Sequence, residues 1–140
     1  MRPEARERHG TVRNWMTRAP TTVPESCPVR VALGQMQRGE IRHLLVLDGD
    51  RLSGIVSNRD VRRLALEDPG PSLLSGPVRS IMTEDPVTVA PETEVTAAAR
   101  LLLERRIGAL PVRDGDEIIG IFTTADALEA LLAIVEHPGA

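Results

Sequence analysis

The sequence predicts a mixed α/β (α+β) fold in which two pseudo-symmetric β-α-β-β-α repeats pack as one compact module. Three observations lead to this prediction. The chain repeats itself, each repeat shows strand-like and helix-like patterns in the same order, and 140 residues that are 41% hydrophobic suit one compact soluble body.

The repeat is the strongest of these signals. At a constant offset of 66 residues, the sequence aligns with itself without a gap over residues 12–62. Asp48-Gly49-Asp50 falls on Asp114-Gly115-Asp116, and Asp60 falls on Asp126. A repeat that occurs only twice favours two units folded against each other, because an open solenoid needs three or more.

Each repeat has the same internal order. A β-rich triplet (Thr21–Val23 or Val87–Val89) precedes an amphipathic helix pattern, in which apolar residues recur with a period near 3.6. Two strands joined by an Asp-Gly-Asp hairpin turn follow, and then a second helix. We therefore expect a flexible N-terminal segment at 1–11, the first repeat at 12–67, a linker at 68–77 and the second repeat at 78–136.

Composition excludes several classes of protein. A net charge of −3 gives no general attraction to nucleic acid or anionic membranes. Cys27, the single cysteine, cannot form an internal disulfide. No apolar run approaches the roughly 18 residues that span a bilayer, and the charged start does not resemble a signal peptide. We expect a cytoplasmic protein with neither nucleic acid nor membrane as partner, and a tail at 137–140 that is loose.

The core is expected to be aliphatic and shared by both repeats, because Trp15 and Phe122 are the only aromatic residues. Trp15 occupies the position of Ile81 in the other repeat, which favours packing. The expected core comprises Val31 or Leu33, Leu44, Val46, Ile55, Leu101 or Leu102, Leu110, Val112 and Ile121.

Candidate binding residues follow the second strand of each repeat, in Gly54–Asp60 and Gly120–Asp126. The glycine lets another group approach the backbone closely. Ser57 or Thr123 then stands where a helix begins, and free amides with the helix dipole favour a phosphate there. The aspartate three residues later can accept hydrogen bonds from a ribose diol, as a carboxylate does in dinucleotide folds.

The same pattern has a purely structural interpretation. Ser-x-x-Asp and Thr-x-x-Asp at a helix start resemble a capping box, in which the hydroxyl and the carboxylate satisfy backbone amides reciprocally. Capping needs no ligand, and the two roles do not exclude each other.

The segments 41–60 and 107–126, with the Met-Thr-x-x-Pro openings at Met16 and Met82, resemble cystathionine β-synthase (CBS) domains. The resemblance covers about residues 12–136 and identifies the chain as a tandem CBS pair, or Bateman module. Leu45 departs from the family pattern, which has proline there, as Pro111 does in the second repeat.

The resemblance implies binding in two clefts between the repeats, for AMP, ADP, ATP or S-adenosylmethionine as a regulatory ligand and with no obligatory cofactor. It leaves open whether one or both clefts are occupied, and which cleft Arg42 and His43 serve. Asp60 and Asp126 would hold ribose. On the phosphate side it places Ser57, Asn58, Arg59, Thr123, Thr124, Arg42 and His43. On the adenine side it places Thr22, Thr88 and Ala109, although the two threonines also suit strands as such.

Arg42 and His43 have a second interpretation as a solvated basic pair at the edge of a strand. The second repeat has Gly108 and Ala109 at those positions and Ala125 in place of Arg59, so the phosphate-side charge is uneven. The three histidines show no metal-ligand spacing.

Two functions compete. The first is a regulatory module that senses an adenosyl ligand and signals to another protein. The alternative is a ligand-independent dimerisation or scaffold protein, and retention of Ser/Thr-x-x-Asp in both repeats favours the first. An enzyme is not expected, because the sequence has no paired nucleophile and base, no metal cluster and no P-loop. We expect a homodimer with contacts near Leu128, Leu131 and Leu132.

Overall fold

The computed structural model describes residues 10–67 and 70–137. The elements in chain order are β1 (Thr17–Arg18), β2 (Thr22–Pro24), α1 (Val29–Gly39), β3 (His43–Asp48), β4 (Arg51–Ser57), α2 (Asn58–Glu67), α3 (Pro71–Ser75), β5 (Thr83–Glu84), α4 (Val95–Arg105), β6 (Ala109–Asp114), β7 (Glu117–Thr123) and α5 (Thr124–Glu136). Short 3-10 helices lie at Val12–Asn14 and Val78–Ser80. The predicted mixed α/β class with two repeats is confirmed.

Two compact units divide the chain, and they do not coincide with the repeats. The contiguous unit is Thr21–Pro86, and the split unit combines the described residues up to Pro20 with those from Val87 onward. Each unit therefore contains the opening segment of the other repeat. In the split unit, the Val12 amide donates to the Thr93 carbonyl at 2.9 Å.

The contiguous unit has a four-stranded sheet in the order β2-β3-β4-β5, in which β2 and β3 are parallel and the other pairs antiparallel. The split unit has an antiparallel sheet in the order β1-β7-β6. The strand expected at Val87–Val89 is reduced to one parallel bridge between Val89 and Val112. In the first repeat, the Leu45 amide donates to the Thr21 carbonyl at 3.2 Å. Pro111, at the same position of the second repeat, has no amide hydrogen to donate.

The two Asp-Gly-Asp turns are confirmed. Asp48 pairs with Arg51 and Asp114 with Glu117, which leaves two residues in each hairpin loop. The glycines have φ angles of 62° and 64°, a left-handed conformation that costs glycine little.

Outside the repeats, the segment expected to be a linker contains the five-residue helix α3. The expected flexible segment is described only at its last two residues, where Thr11 forms a β-bridge with Glu94. Residues 1–9 and 138–140, with the loose ends expected there, lie outside the described residues.

Most of the described buried apolar side chains form two clusters, one within each unit. Each cluster draws on both repeats, as expected: Val12 and Met16 lie in the cluster of the split unit, and Val78 lies in that of the contiguous unit. Leu44, Val46, Leu102, Leu110, Val112 and Ile121 are buried as predicted. Leu33 packs against its cluster, whereas Val31 is 39% exposed. Ile55 is only half-buried, because the alternation along β4 turns Leu52, Gly54 and Val56 inward instead. Phe122 is fully buried, and Trp15 packs against the split unit's cluster as expected.

Candidate functional site

The β3–β4 hairpin brings the predicted binding residues of the first repeat together. His43 and Ser57 are directly paired across the ladder, and the Asn58 amide donates to the Arg42 carbonyl at 2.9 Å. The start of α2 therefore lies beside the start of β3. We call this group the Asp60 cluster: Arg42, His43, Ser57, Asn58, Arg59 and Asp60.

The Asp60 carboxylate is accessible. Its side chain is 38% exposed, and Oδ1 lies 3.6 Å from Nη2 of Arg63, a long ion pair within one helix turn. The Asp60 backbone amide donates to the Ser57 hydroxyl at 3.0 Å, so the hydroxyl half of the capping pattern is present. The carboxylate oxygens keep acceptor sites for a further donor.

His43 is half-buried beside this carboxylate. Burial lowers the pKa of His43 below its usual value; the negative charge of Asp60 opposes that shift, and the positive charge of Arg42 adds to it. The imidazole is therefore neutral near pH 7 and offers one donor and one acceptor. A phosphate placed beside His43 and Arg42 would favour its charged form.

Asn58 contributes an unusual polar group. Its side-chain oxygen Oδ1 is buried and has no hydrogen-bond partner among the described residues. A buried acceptor without a donor costs free energy, which a donor from a ligand or water would recover. Two amides expected to be free for a phosphate are already bonded, those of Asn58 and Asp60. A phosphate placed here would therefore depend mainly on the side chains of Arg42, His43 and Arg59.

The corresponding residues of the second repeat form a closed capping box. The Thr123 amide donates to Oδ2 of Asp126 at 2.9 Å, and the Asp126 amide donates to the Thr123 hydroxyl at 3.3 Å. The Thr123 hydroxyl also lies 3.1 Å from Oδ2, and the Thr17 hydroxyl lies 3.4 Å from both carboxylate oxygens. Asp126 is 8% exposed, the single buried charged residue in the described part of the chain.

We call Thr17, Thr123, Thr124 and Asp126 the Asp126 cluster. Ala109 pairs with Thr123, and the Thr124 amide donates to the Gly108 carbonyl at 3.0 Å, so the backbone repeats the arrangement of the Asp60 cluster. The Thr124 hydroxyl lies 3.4 Å from the same carbonyl. Gly108, Ala109 and Ala125 supply no charge here.

The residues expected on the adenine side are unevenly placed. Thr22 is exposed on β2, next to Leu45 of β3, and lines a shallow depression with Val23, Pro24, Leu47 and Gly49 that includes none of the Asp60 cluster. Thr88 is half-buried and belongs to no strand, and Ala109 is buried at the start of β6. Their roles toward adenine stay predictions.

The two strand glycines have a structural role that the sequence argument missed. A Cβ on Gly54 would lie 2.5 Å from the Met82 sulfur, and one on Gly120 would lie 2.8 Å from that of Met16. The group that approaches each glycine is therefore the repeated Met-Thr opening, and not a ligand. Thr17, in that opening, is the site residue that sequence reasoning overlooked; its recurrence as Thr83 was the available signal.

A metal-binding cluster and a membrane-spanning helix are both absent from the described part of the chain. No group of three or more His, Cys, Asp or Glu side chains could hold a metal ion. In the same residues, 10–67 and 70–137, no helix has the length and apolar character to cross a membrane.

Cys27 lies in the apolar cluster of the contiguous unit just before α1, and burial raises the pKa of its thiol.

The CBS domain family model matches residues 12–67 and 78–133. The chain therefore belongs to the CBS domain family and carries two copies of the domain.

Individual relatives agree with this. The chain is 32% identical over 136 residues to a CBS domain-containing protein of Dictyostelium discoideum, covering 89% of this chain and 93% of that protein. The crystal structure of CBSX2 in complex with AMP matches with a TM-score of 0.77 and 33% identity, covering 89% of this chain and 98% of that one. The chain is also 33% identical over 116 residues to the homoserine O-acetyltransferase of Methanocorpusculum labreanum. That match covers 81% of this chain but only 23% of the relative.

Proposed function

We propose that this CBS pair is a non-catalytic regulatory module that binds an adenine nucleotide or adenosyl ligand and signals to another protein. The observation that carries the proposal is the Asp60 cluster, where an accessible carboxylate, an arginine and a neutral histidine meet at the start of one helix. A related structure, 33% identical, is a complex with AMP.

The ribose and the phosphate of a nucleotide each have a matching group in the Asp60 cluster. The Asp60 carboxylate accepts hydrogen bonds from ribose hydroxyls. Arg42, His43 and Arg59 surround the phosphate, for which arginine offers a planar fork of donors. The unpartnered Asn58 oxygen accepts from a ligand hydroxyl or amine. AMP, ADP and ATP suit this charge better than S-adenosylmethionine, whose sulfonium is cationic.

A ligand-independent scaffold is the second candidate, and one observation favours it. Leu128, Leu131, Leu132 and Val135 of α5 are each more than half exposed, at helical spacings that place them on one face. We place a homodimer contact on this face, and it needs no nucleotide. A cytoplasmic location stays a prediction for both candidates.

Thermal unfolding with AMP, ADP, ATP and S-adenosylmethionine separates the two functions, with GMP as the control for the base. We expect a concentration-dependent rise in Tm with at least one adenine nucleotide, because a ligand at 100 times its Kd stabilises the native state by about 2.7 kcal/mol. If none of the four adenosyl compounds raises the Tm at millimolar concentration, the scaffold function replaces the sensor.

A further inference from the structure

We infer that each chain binds one phosphorylated adenine nucleotide, at the Asp60 cluster, and that the Asp126 cluster binds none. The inference rests on the proposed function and adds which repeat holds the ligand. Three differences between the clusters carry it.

The first difference is the availability of the carboxylate. A ribose diol needs a carboxylate with free acceptor sites and an open approach. Asp60 offers an open approach, because its side chain is 38% exposed. It also keeps free acceptor sites, because its ion pair with Arg63 is long, at 3.6 Å. Asp126 is 8% exposed and receives donors from Thr123 and Thr17. A ribose at Asp126 would have to displace these donors and open the capping box.

The second difference is charge. Arg42, His43 and Arg59 stand at positions occupied by Gly108, Ala109 and Ala125 in the second repeat. Arg42 and Arg59 are exposed, and neither has an ion-pair partner among the described residues. A phosphate dianion would meet two arginines and a titratable imidazole at the Asp60 cluster. At the Asp126 cluster it would meet the buried carboxylate and no cation from those positions.

The third difference is an unused polar group at the same helix position. The Asn58 oxygen is buried without a partner, whereas the matching Thr124 hydroxyl donates to the Gly108 carbonyl. The Asp60 cluster therefore has a polar group that a ligand would satisfy. The polar groups of the Asp126 cluster are satisfied by the chain itself.

Calorimetric titration of AMP into the full chain and its variants tests the inference. We expect one AMP per chain in the wild type. Asp60→Ala should weaken AMP at least tenfold, whereas Asp126→Asn should change Kd less than threefold and leave the stoichiometry at one. Asparagine keeps an acceptor for the Thr123 amide, so this variant tests binding without removing the whole cap. Asp50→Ala, in an exposed hairpin turn, controls for the loss of one negative charge.

The remaining outcomes are distinct. Two AMP per chain would overturn the inference, and so would a tenfold loss in Asp126→Asn with none in Asp60→Ala. AMP binding that is indifferent to both variants would overturn the placement while leaving nucleotide binding in force. If neither AMP nor the other adenosyl compounds produce heat, the proposed function itself fails.

Discussion

The hydroxyl of Thr17 lies 3.4 Å from both carboxylate oxygens of Asp126, which stands 109 residues further along the chain. The opening of the first repeat thus supports the last helix of the second. Together with Thr123, this contact makes Asp126 part of the architecture of the split unit, so a ribose at Asp126 would have to displace donors that the chain itself supplies.

Replacing Asp126 should therefore cost stability. Asp126→Ala removes the carboxylate half of the capping box and leaves the Thr123 amide without its acceptor, so we expect a loss of about 0.5–2 kcal/mol in the free energy of unfolding. Asp60→Ala is the matched control, because it removes one long ion pair worth at most about 0.5 kcal/mol. Urea denaturation measures both variants, and equal losses would contradict the difference between the two caps.

Gly120→Ala should destabilise the split unit. The added Cβ would lie 2.8 Å from both the Met16 sulfur and the Thr17 carbonyl oxygen, so the strand pair must separate, at a cost of about 1–3 kcal/mol. In Gly34→Ala, the control, the new methyl contacts the movable end of Arg38 within α1, and alanine favours the helix by about 1 kcal/mol. The two variants should shift the denaturation midpoint in opposite directions, and a shift in the same direction would refute the packing argument.

Leu110→Ala tests the placement of β6 in the core. The side chain is fully buried, so truncation should cost about 2–5 kcal/mol of unfolding free energy. Leu103→Ala, on a side chain that is 80% exposed, should change stability by less than about 0.5 kcal/mol. A loss below half a kcal/mol at Leu110 would show that this strand does not lie in the core.

Stability should depend on pH through His43. Because burial lowers the pKa of His43 in the folded chain, the unfolded chain binds the proton more readily. The contribution of His43 to stability is thus complete above the unfolded value of about 6.5 and falls as pH drops below it. Denaturation between pH 5 and 8 should show this decline in the wild type and a flatter profile in His43→Gln. His137→Gln, which removes an exposed imidazole, is the control for the loss of one histidine.

AMP binding should offset part of the loss of stability that His43 causes as pH falls. A phosphate dianion beside His43 favours the imidazolium, so binding takes up a proton and affinity rises as pH falls from 7.5 toward 6.5. Titrations in buffers of different ionisation enthalpy measure the proton uptake directly. An uptake that persists unchanged in His43→Gln would assign it to another group.

The oligomeric state depends on α5. Leu132→Glu places a charge within the exposed apolar face, and we expect it to convert a dimer into a monomer in light scattering at micromolar concentration. Leu103→Glu, on the exposed side of α4, should leave the dimer intact. A wild-type monomer under these conditions would contradict the dimer prediction.

Sequence reasoning worked where a local pattern has one structural solution. Asp48-Gly-Asp and Asp114-Gly-Asp specify tight hairpins, and Thr123 with Asp126 specifies a cap, which the structure contains. Which aspartate Arg42 and His43 accompany was open from the sequence, and the register of the hairpin places them beside the start of the helix that carries Asp60.

What could not be predicted depends on partners distant in sequence. Met16-Thr17 and Met82-Thr83 are the same dipeptide, so no local pattern tells which strand glycine each one covers. Three-dimensional connectivity decides this: Thr17 pairs with Ile121, and Thr83 pairs with Ile55. The different exposure and hydrogen bonding of Asp60 and Asp126 could not be predicted for the same reason. Both residues match one sequence motif and differ only in their neighbours in space.

The exchange of opening segments also fixes an order of assembly during synthesis. The contiguous unit has all its residues between Thr21 and Pro86, so its contacts can form while the second repeat is still being made. The split unit must wait for β7, and its first strand then has to find a partner across the whole intervening segment. Closing that long loop carries an entropic cost that slows its formation. β1 is therefore synthesised long before β7 and docks on it late, and until then the edge of β7 that β1 covers is open to strands from other chains.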